Sequence, residues 1–211
     1  TPREGDPAAL AARVGGSVLP TGSVRLADAG QVSTMDGYSE GAWWVQDAAA
    51  AVPARVLAPA KGEKVLDLCA APGGKTMQLA AMGADVTAVD ISRPRLARVE
   101  ENLARVGLTA DVQVADALML KGTYDAILLD APCSATGTIR RHPDLPHAKD
   151  GSEFGELIDL QARIFSVSYS HLTLPTKRIV FFSVFSLFFF LIFLFFFFFF
   201  SSFFFYLPLF S

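Results

Sequence analysis

The sequence has 211 residues, of which 52% are hydrophobic, which is enough for one domain with a sizeable core. Its charges are unevenly distributed, because 16 of the 18 Lys and Arg and all 21 Asp and Glu lie in residues 1–164. That part carries a net charge of −5, so it lacks the overall basic field that drives non-specific RNA binding. Any contact with RNA would have to come from a local cluster of basic residues or from a domain that this sequence lacks.

The two cysteines, Cys69 and Cys133, are far apart in the sequence, and neither has the spacing of a metal ligand. A disulfide framework and a metal site are therefore not expected, and reduced thiols favour a cytoplasmic protein. We also expect a monomer.

Residues 1–41 are rich in Gly, Pro, Ala and Asp, which is typical of loops. We interpret them as the remnant of an N-terminal RNA-binding region and its linker, with two short strands at 17–19 and 23–26. The alanine-rich run at 46–52 favours a helix that ends before Pro59.

A regular alternation follows, and we assign residues 42–164 to one domain. Short apolar runs predict strands, and segments with helical spacing of apolar residues predict helices between them. This alternation predicts an α/β fold with a parallel sheet covered by helices on both faces. The predicted strands are 64–69, 85–90, 111–114 and 126–130, and the predicted helices are 75–82, 92–107 and 153–164. We expect the sheet to be truncated after the fourth strand and the helix that follows it.

Residues 165–211 differ from everything before them. Of the 19 Phe in the chain, 17 lie between Phe181 and Phe210, and no charged residue follows Arg178. Hydropathy alone would favour a transmembrane helix. We interpret the segment instead as a low-complexity, non-native tail produced by an assembly artefact, since a T-rich DNA tract translates into near-continuous Phe and residues 168–178 resemble translated adapter sequence. No membrane attachment is therefore expected.

The strongest motif is the segment 67–76, Asp-Leu-Cys-Ala-Ala-Pro-Gly-Gly-Lys-Thr, which ends the first predicted strand and begins a helix. Its small residues let a ligand approach the backbone, and a helix N-terminus offers free N–H groups. The segment lacks the first glycine of a P-loop and the Gly-x-Gly-x-x-Gly of dinucleotide-binding proteins. A tight turn without a ligand is the alternative interpretation.

Three acids favour the ligand-binding interpretation, because each follows a different predicted strand. Asp90 could accept both ribose hydroxyl protons, Asp116 could take the amine of an adenine, and Asp130 would face the same crevice. Since the carboxyl ends of parallel strands meet at one edge of the sheet, the pattern predicts a site for a nucleoside-bearing cofactor.

A second motif occupies residues 130–144 and contains Pro-Cys directly after the strand-terminal acid. Thiolates are nucleophiles that can add to carbon-6 of a pyrimidine, so Cys133 and Asp130 are the candidate catalytic residues. A buried structural cysteine is the alternative for Cys133. Arg140, Arg141 and His142 are candidates for binding RNA phosphates, although a solvated loop would explain them equally well.

The segments 67–76 and 130–144 closely resemble motifs I and IV of the Nop/Sun family of RNA 5-methylcytosine methyltransferases, and most nearly its bacterial Sun (RsmB-like) branch. Gln46-Asp47 matches as well, and the resemblance covers residues 17–164. It implies a Rossmann-like methyltransferase fold and ribosomal RNA as the substrate. It also implies S-adenosylmethionine bound with Asp90 on the ribose, Asp116 near the adenine and Asp130 near the methyl donor and the base. The implied cofactor turn consists of Cys69, Ala70, Ala71, Pro72, Gly73, Gly74 and Lys75.

One feature of the family is absent from the sequence. The resemblance implies that Cys133 assists product release and that the nucleophile comes from a later Thr-Cys-Ser motif, yet no cysteine follows Cys133. We therefore expect cofactor binding with little or no turnover. Two alternatives stay open, namely that Cys133 is itself the nucleophile and that the chain is a non-catalytic RNA- or nucleoside-binding module.

Overall fold

The structure is a computed structural model that describes residues 1–27, 30–135, 138–139, 142–144, 147, 151–171 and 178–182, with residue 169 and the last segment described by their backbone only. The helices are α1 Pro7–Val14, α2 Val52–Leu57, α3 Gly74–Ala81, α4 Arg93–Val106 and α5 Phe154–Ser170. The strands are β1 Ser17–Val18, β2 Val24–Arg25, β3 Lys64–Leu68, β4 Asp85–Asp90, β5 Asp111–Val114, β6 Ala126–Asp130 and β7 Arg178–Phe182. A 3-10 turn spans Val32–Thr34.

The five strands β3 to β7 form one sheet in the order β5-β4-β3-β6-β7, and every neighbouring pair in it is parallel. The chain moves outward from β3 through β4 to β5 and then returns to place β6 on the other side of β3. This reversal creates a topological switch point between β3 and β6, where open parallel sheets bind ligands at their carboxyl ends. The predicted α/β Rossmann-like class is therefore confirmed.

The two central strands are buried on both faces, which explains their almost continuous apolar sequence. On one face, Val65 of β3 packs with Leu79 of α3 and Leu57 of α2. On the opposite face, Leu66 of β3 and Ile127 of β6 pack with Ile164 of α5. The positions 64–68 and 126–130 are therefore fixed by helices from both sides, and the residues that follow them are held at one edge.

The N-terminal part contains a helix where the composition predicts loops. Helix α1 begins at Pro7, and the carboxylate of Asp6 caps it by accepting the N–H of Ala8 at 2.9 Å. The two short predicted strands are present as β1 and β2, which pair antiparallel. The alanine run begins its helix only at Val52, because Asp47 accepts the N–H of Ala49 and holds the preceding residues in a turn.

The C-terminal part extends beyond the predicted end of the sheet. Helix α5 continues past residue 164 to Ser170, and Ser168 is buried with its hydroxyl donating to the carbonyl of Ile164 at 2.7 Å. The backbone of β7 then pairs in parallel with β6. Arg178–Phe182 is rich in β-branched and aromatic residues, which favour a strand, and β6 would otherwise present an unpaired edge. In the described part of the chain, no helix is long and apolar enough to cross a membrane.

The N-terminal segment packs against the end of α4 through Arg105. The guanidinium of Arg105 donates to the carbonyls of Tyr38 at 2.8 Å and Trp43 at 3.1 Å, and it lies 4.1 Å over the Tyr38 ring. Arg3 donates to the carbonyl of Val106 at 2.9 Å, at the C-terminal end of the same helix. Two guanidinium groups, those of Arg3 and Arg105, therefore attach the described N-terminal residues to the end of α4, where positive charge suits the helix C-terminus.

Substitution of Arg105 tests this attachment. We expect Arg105→Ala to lower the free energy of unfolding by about 2–4 kcal/mol, because two hydrogen bonds from a charged group and one cation–π contact are lost. Arg98→Ala, an exposed position on the same helix, should change it by less than about 0.5 kcal/mol. Urea unfolding followed by circular dichroism measures both, and equal values for the two variants would refute the assignment.

Candidate cofactor site

The turn after β3 reverses the chain within a few residues. Cys69 and Gly73 have positive φ angles of 61° and 99°, and the N–H of Gly73 donates to the carbonyl of Ala70 at 2.8 Å. The N–H of Ala70 donates to the carbonyl of Val89 at 3.0 Å, which ties the turn to the end of β4. Helix α3 then begins at Gly74, so its first N–H groups lie near the carboxyl edge of the sheet.

Gly73 lies where any side chain would crowd Val99. A Cβ atom there would lie 3.1 Å from Val99 Cγ1 and 3.3 Å from Val99 Cα, and the φ angle of 99° is unfavourable for any other residue. At Gly74, a Cβ atom would lie 3.4 Å from Gln46 Nε2. Gly73 therefore lets the turn pack closely against α4, whereas a Cβ atom on Gly74 would be in ordinary van der Waals contact with Gln46.

Asp90 lies at the end of β4 and is almost completely buried, with a side-chain exposure of 2%. Its carboxylate accepts the N–H of Ser92 at 2.9 Å and the N–H of Ala71 at 3.3 Å. Arg95 Nη1 lies 3.5 Å from the same carboxylate. A carboxylate has about four acceptor positions, so Asp90 connects β4 to the turn after β3 and retains capacity for a further donor.

Asp116 lies beside Asp90 and is exposed. The N–H of Ala115 donates to the carbonyl of Asp90 at 3.2 Å, and the carboxylate of Asp116 accepts the N–H of Leu118 at 2.9 Å. Two large apolar side chains adjoin these acids and face solvent, Ile91 with 70% exposure and Met119 with 76%.

Lys75 and Asp130 form an ion pair across the switch point. Lys75 lies in the first turn of α3, Asp130 ends β6, and the ammonium lies 2.6 Å from the carboxylate. The side chain of Lys75 is 11% exposed and that of Asp130 is 34% exposed. The pair therefore fixes the end of β6 against the helix that follows the glycine turn.

Burial and nearby carboxylates raise the pKa of the Cys69 thiol to about 12. Desolvation contributes most, and the carboxylates of Asp90, Asp130 and Asp67 add to it, in that order. Two consequences follow. The acids from β3, β4 and β6 lie close enough to one thiol to act on it together, and Cys69 stays protonated and non-nucleophilic at neutral pH.

Asp67 belongs to the site although the sequence analysis gave it no role. It is fully buried, and desolvation raises its pKa to about 7 against the usual 3.8. Thr76 donates its hydroxyl to one carboxyl oxygen of Asp67 at 2.6 Å, while the other oxygen, Oδ1, has no hydrogen-bond partner among the described residues. The signal in the sequence was an acid in the middle of an apolar strand, where an ionised carboxyl group is costly.

The structure describes only part of the second motif. Cys133 is half-buried three residues after Asp130, and the carbonyl of Pro132 accepts the side-chain amide of Gln161 on α5 at 2.6 Å. His142 is exposed, while Arg140 and Arg141 lie outside the described residues. Within the described ranges, no group of three or more His, Cys, Asp or Glu side chains could hold a metal ion.

Comparison with known proteins identifies the family to which this architecture belongs. The sequence model of the family described as 16S rRNA methyltransferase RsmB/F matches residues 54–186. The chain belongs to the RsmB/F family. Its match includes β3 to β7 and every acid described above, and it runs past residue 164 through the last strand of the sheet.

Individual relatives agree with this assignment. The chain is 46% identical over 157 residues to ribosomal RNA small subunit methyltransferase B of Klebsiella pneumoniae, covering 71% of this chain and 36% of the relative. Among solved structures, it is similar to NSun6 from Pyrococcus horikoshii with SFG (28% identity, TM-score 0.64), covering 72% of this chain and 42% of that one. It is also similar to a methyltransferase homolog protein from Pyrococcus horikoshii (28% identity, TM-score 0.61), covering 71% and 49%. The chain thus spans about a third of the length of its curated relatives.

Substitution of Gly73 tests the close packing of the turn. Gly73 and Gly62 both have positive φ, but a Cβ on Gly62 would meet nothing within 4 Å. We expect Gly62→Ala to lower the free energy of unfolding by about 1–2 kcal/mol, the cost of the left-handed conformation. Gly73→Ala should cost clearly more, because it also displaces Val99. Thermal unfolding compares the two, and equal costs would contradict the steric argument.

Replacement of Asp67 should remove a dependence of stability on pH. Because its pKa is raised from 3.8 to about 7, the folded protein holds a proton that the unfolded chain loses between these values. The free energy of unfolding should therefore fall as the pH rises from about 4 to about 7 and then stay level. Asp67→Asn, which mimics the protonated acid, should lack this decrease.

Urea unfolding between pH 4 and 8 measures the difference between Asp67→Asn and the wild type. Glu100→Gln, which changes an exposed acid on α4, serves as the control and should follow the wild-type curve. If Asp67→Asn and the wild type ran parallel across this range, the buried neutral carboxyl group would be disproved.

Proposed function

We propose that this chain binds S-adenosylmethionine at the carboxyl edge of its sheet and serves the transfer of the methyl group to carbon-5 of a cytosine in ribosomal RNA. The observation that carries the proposal is the convergence of the glycine turn with Asp90, Asp116 and Asp130 around the switch point. Membership of the RsmB/F family supports the same activity.

The residues present suit the nucleoside part of this cofactor. Asp90 would accept the ribose hydroxyls, and Asp116, which is exposed, would accept the adenine amine. Ile91 and Met119 offer exposed apolar surface beside these two acids for the faces of the adenine ring. A purine nucleoside needs this combination of acceptors and apolar contacts.

The residues also suit the charged part of the cofactor. The turn from Cys69 to Lys75 has small side chains, and Gly73 allows close approach of the backbone. The acids at the ends of β4 and β6 favour a cationic ligand, and the buried Oδ1 of Asp67 has no hydrogen-bond partner among the described residues. When bound, S-adenosylmethionine supplies an electrophilic methyl group on a positively charged sulfur.

The chain's own groups then divide the remaining work. Cys69 stays a neutral thiol beside the methyl donor, because its pKa is about 12, and it is therefore protected from being alkylated itself. Asp130, held by Lys75, would orient the target base, and Cys133, three residues later, would lie near the entering base. Arg140, Arg141 and His142 would contact RNA phosphates, with the protein acting as a cytoplasmic monomer.

Isothermal titration with S-adenosylmethionine tests the cofactor site. We expect measurable heat with the wild-type chain and an affinity at least about tenfold lower for Asp90→Asn, since a charge-assisted hydrogen bond to the ribose is weakened. Asp85→Asn alters the exposed first residue of the same strand, at the opposite edge, and should bind like the wild type. No heat with the wild-type chain at millimolar cofactor would refute the proposed site.

The methyl acceptor requires a separate test. For this test, residues 1–164 of the chain can be joined to the downstream part of the Klebsiella pneumoniae relative, beginning at the position that corresponds to residue 165. Incubated with 16S rRNA and S-adenosylmethionine, this fusion should produce 5-methylcytosine that is detected by bisulfite sequencing. Methylation found only on a base nitrogen or a ribose oxygen would overturn the carbon-5 assignment.

A further inference from the structure

One face of α4 contacts three consecutive residues of the glycine turn. Arg95 Nη2 donates to the carbonyl of Ala71 at 2.9 Å, and Asn102 Nδ2 donates to the carbonyl of Pro72 at 3.0 Å. Val99, between them on the helix, packs against Gly73 so closely that a Cβ there would lie 3.1 Å from Val99 Cγ1. Positions 95, 99 and 102 follow the i, i+4, i+7 spacing of a single helix face.

These contacts fix a segment that the sheet leaves free. The carbonyls of Ala71 and Pro72 lie beyond the end of β3, so no strand pairs with them. The side chains of Arg95 and Asn102 donate hydrogen bonds to them instead. Each such hydrogen bond restrains the direction of a peptide group, and the contact between Val99 and Gly73 fixes the distance from the helix. The turn is therefore held in place before any ligand arrives.

Arg95 has a second partner, because its Nη1 lies 3.5 Å from the carboxylate of Asp90. One guanidinium thus connects the turn with the acid at the end of β4, although the side chain of Arg95 is 57% exposed. The N–H of Ala71 reaches the same carboxylate at 3.3 Å, which completes a closed set of contacts among Ala71, Asp90 and Arg95.

We propose that Arg95 and Asn102 are positioning residues, which clamp Ala71–Gly73 and Asp90 in the arrangement that binds the nucleoside part of the cofactor. This inference rests on the proposed function, because it explains why the proposed site would bind S-adenosylmethionine tightly. Neither residue needs to touch the ligand. Arg95 aligns the ribose-binding acid with the turn, and Asn102 keeps the second carbonyl of the turn from rotating into the crevice.

Hydrogen exchange on the ligand-free chain tests the clamp without reference to the cofactor. Arg95→Ala and Asn102→Ala should each accelerate exchange of the amides in residues 70–74 by about threefold to tenfold, the factor expected for the loss of one hydrogen bond. The amides within α4 should keep their protection. Arg98→Ala, an exposed control on the same helix, should leave residues 70–74 unchanged.

Titration with S-adenosylmethionine tests the consequence for binding. We expect Asn102→Ala to weaken affinity about threefold to tenfold and Arg95→Ala by about tenfold or more, since the latter also loses its contact with Asp90. Arg95→Lys retains the positive charge and one donor nitrogen but not the two Nη groups of the guanidinium. It should therefore bind S-adenosylmethionine more tightly than Arg95→Ala but less tightly than the wild type. The melting temperatures of all variants should lie within a few degrees of the wild type.

The outcomes separate this inference from the proposed function. If the wild type gives no heat, the proposed function fails, while hydrogen exchange still decides whether the clamp exists. If the wild type binds and the variants show unchanged exchange in residues 70–74, the clamp is refuted. Faster exchange with unaltered affinity would refute the positioning role, and so would an equal loss of affinity in Arg98→Ala.

Discussion

Three carboxyl groups are crowded at the carboxyl edge of a buried parallel sheet, and the structure relieves their mutual repulsion in three different ways. Asp67 gives up its charge, since burial raises its pKa to about 7. Asp130 pairs with Lys75 at 2.6 Å, and Asp90 accepts two backbone N–H groups and lies near Arg95. The arrangement of the turn, of α3 and of α4 follows from the positions of these partners, because each partner belongs to a different element.

The same crowding of acids makes the site favour a positively charged ligand. One lysine and one half-exposed arginine stand against the acids at the strand ends, and Asp116 adds a further exposed carboxylate. A ligand with a positively charged centre and hydrogen-bond donors is therefore favoured over a phosphate. The sequence agrees, because it lacks the first glycine of a phosphate-binding P-loop. The helix N-terminus at Gly74 alone would have suggested an anion, and the surrounding acids reverse that expectation.

Much of the fold could be predicted from local patterns, and the failures have identifiable causes. Strands 85–90, 111–114 and 126–130 coincide with the predicted apolar runs, because turn residues bound each run. Burial by helices also fixes 85–90 and 126–130, whereas 111–114 is mostly exposed. Helix α1 was missed because its signal, Asp6 as a cap before Pro7, is short and surrounded by loop-like composition. Strand β7 was missed because an unusual composition dominated the interpretation of residues 165–211, whereas a sheet edge can pair with any short β-prone segment.

A site residue could be predicted from the sequence where its position in a strand determines where its side chain lies. It could not be predicted where its contacts depend on how another element packs against it. Asp90 and Asp130 lie at the predicted edge because parallel strands leave no other place for them. Arg95 and Asn102 carry no motif, and their contacts with Ala71 and Pro72 arise only once α4 is packed against the turn. Asp67 was visible in the sequence, but its neutral state depends on burial from both faces.

The crowded acids also determine where thiol chemistry can occur. A thiolate at Cys69 would add a further negative charge to a buried position beside Asp90 and Asp130, and the rise of its pKa to about 12 expresses that cost. An edge arranged to attract a cationic methyl donor therefore excludes a nucleophilic thiol from its own centre. A cysteine that attacks a pyrimidine has to lie beyond this cluster, either after β6, where Cys133 is found, or on a strand farther from β3. Under the proposed function, this electrostatic cost explains why the cofactor turn and the thiol of Cys133 belong to two separate motifs.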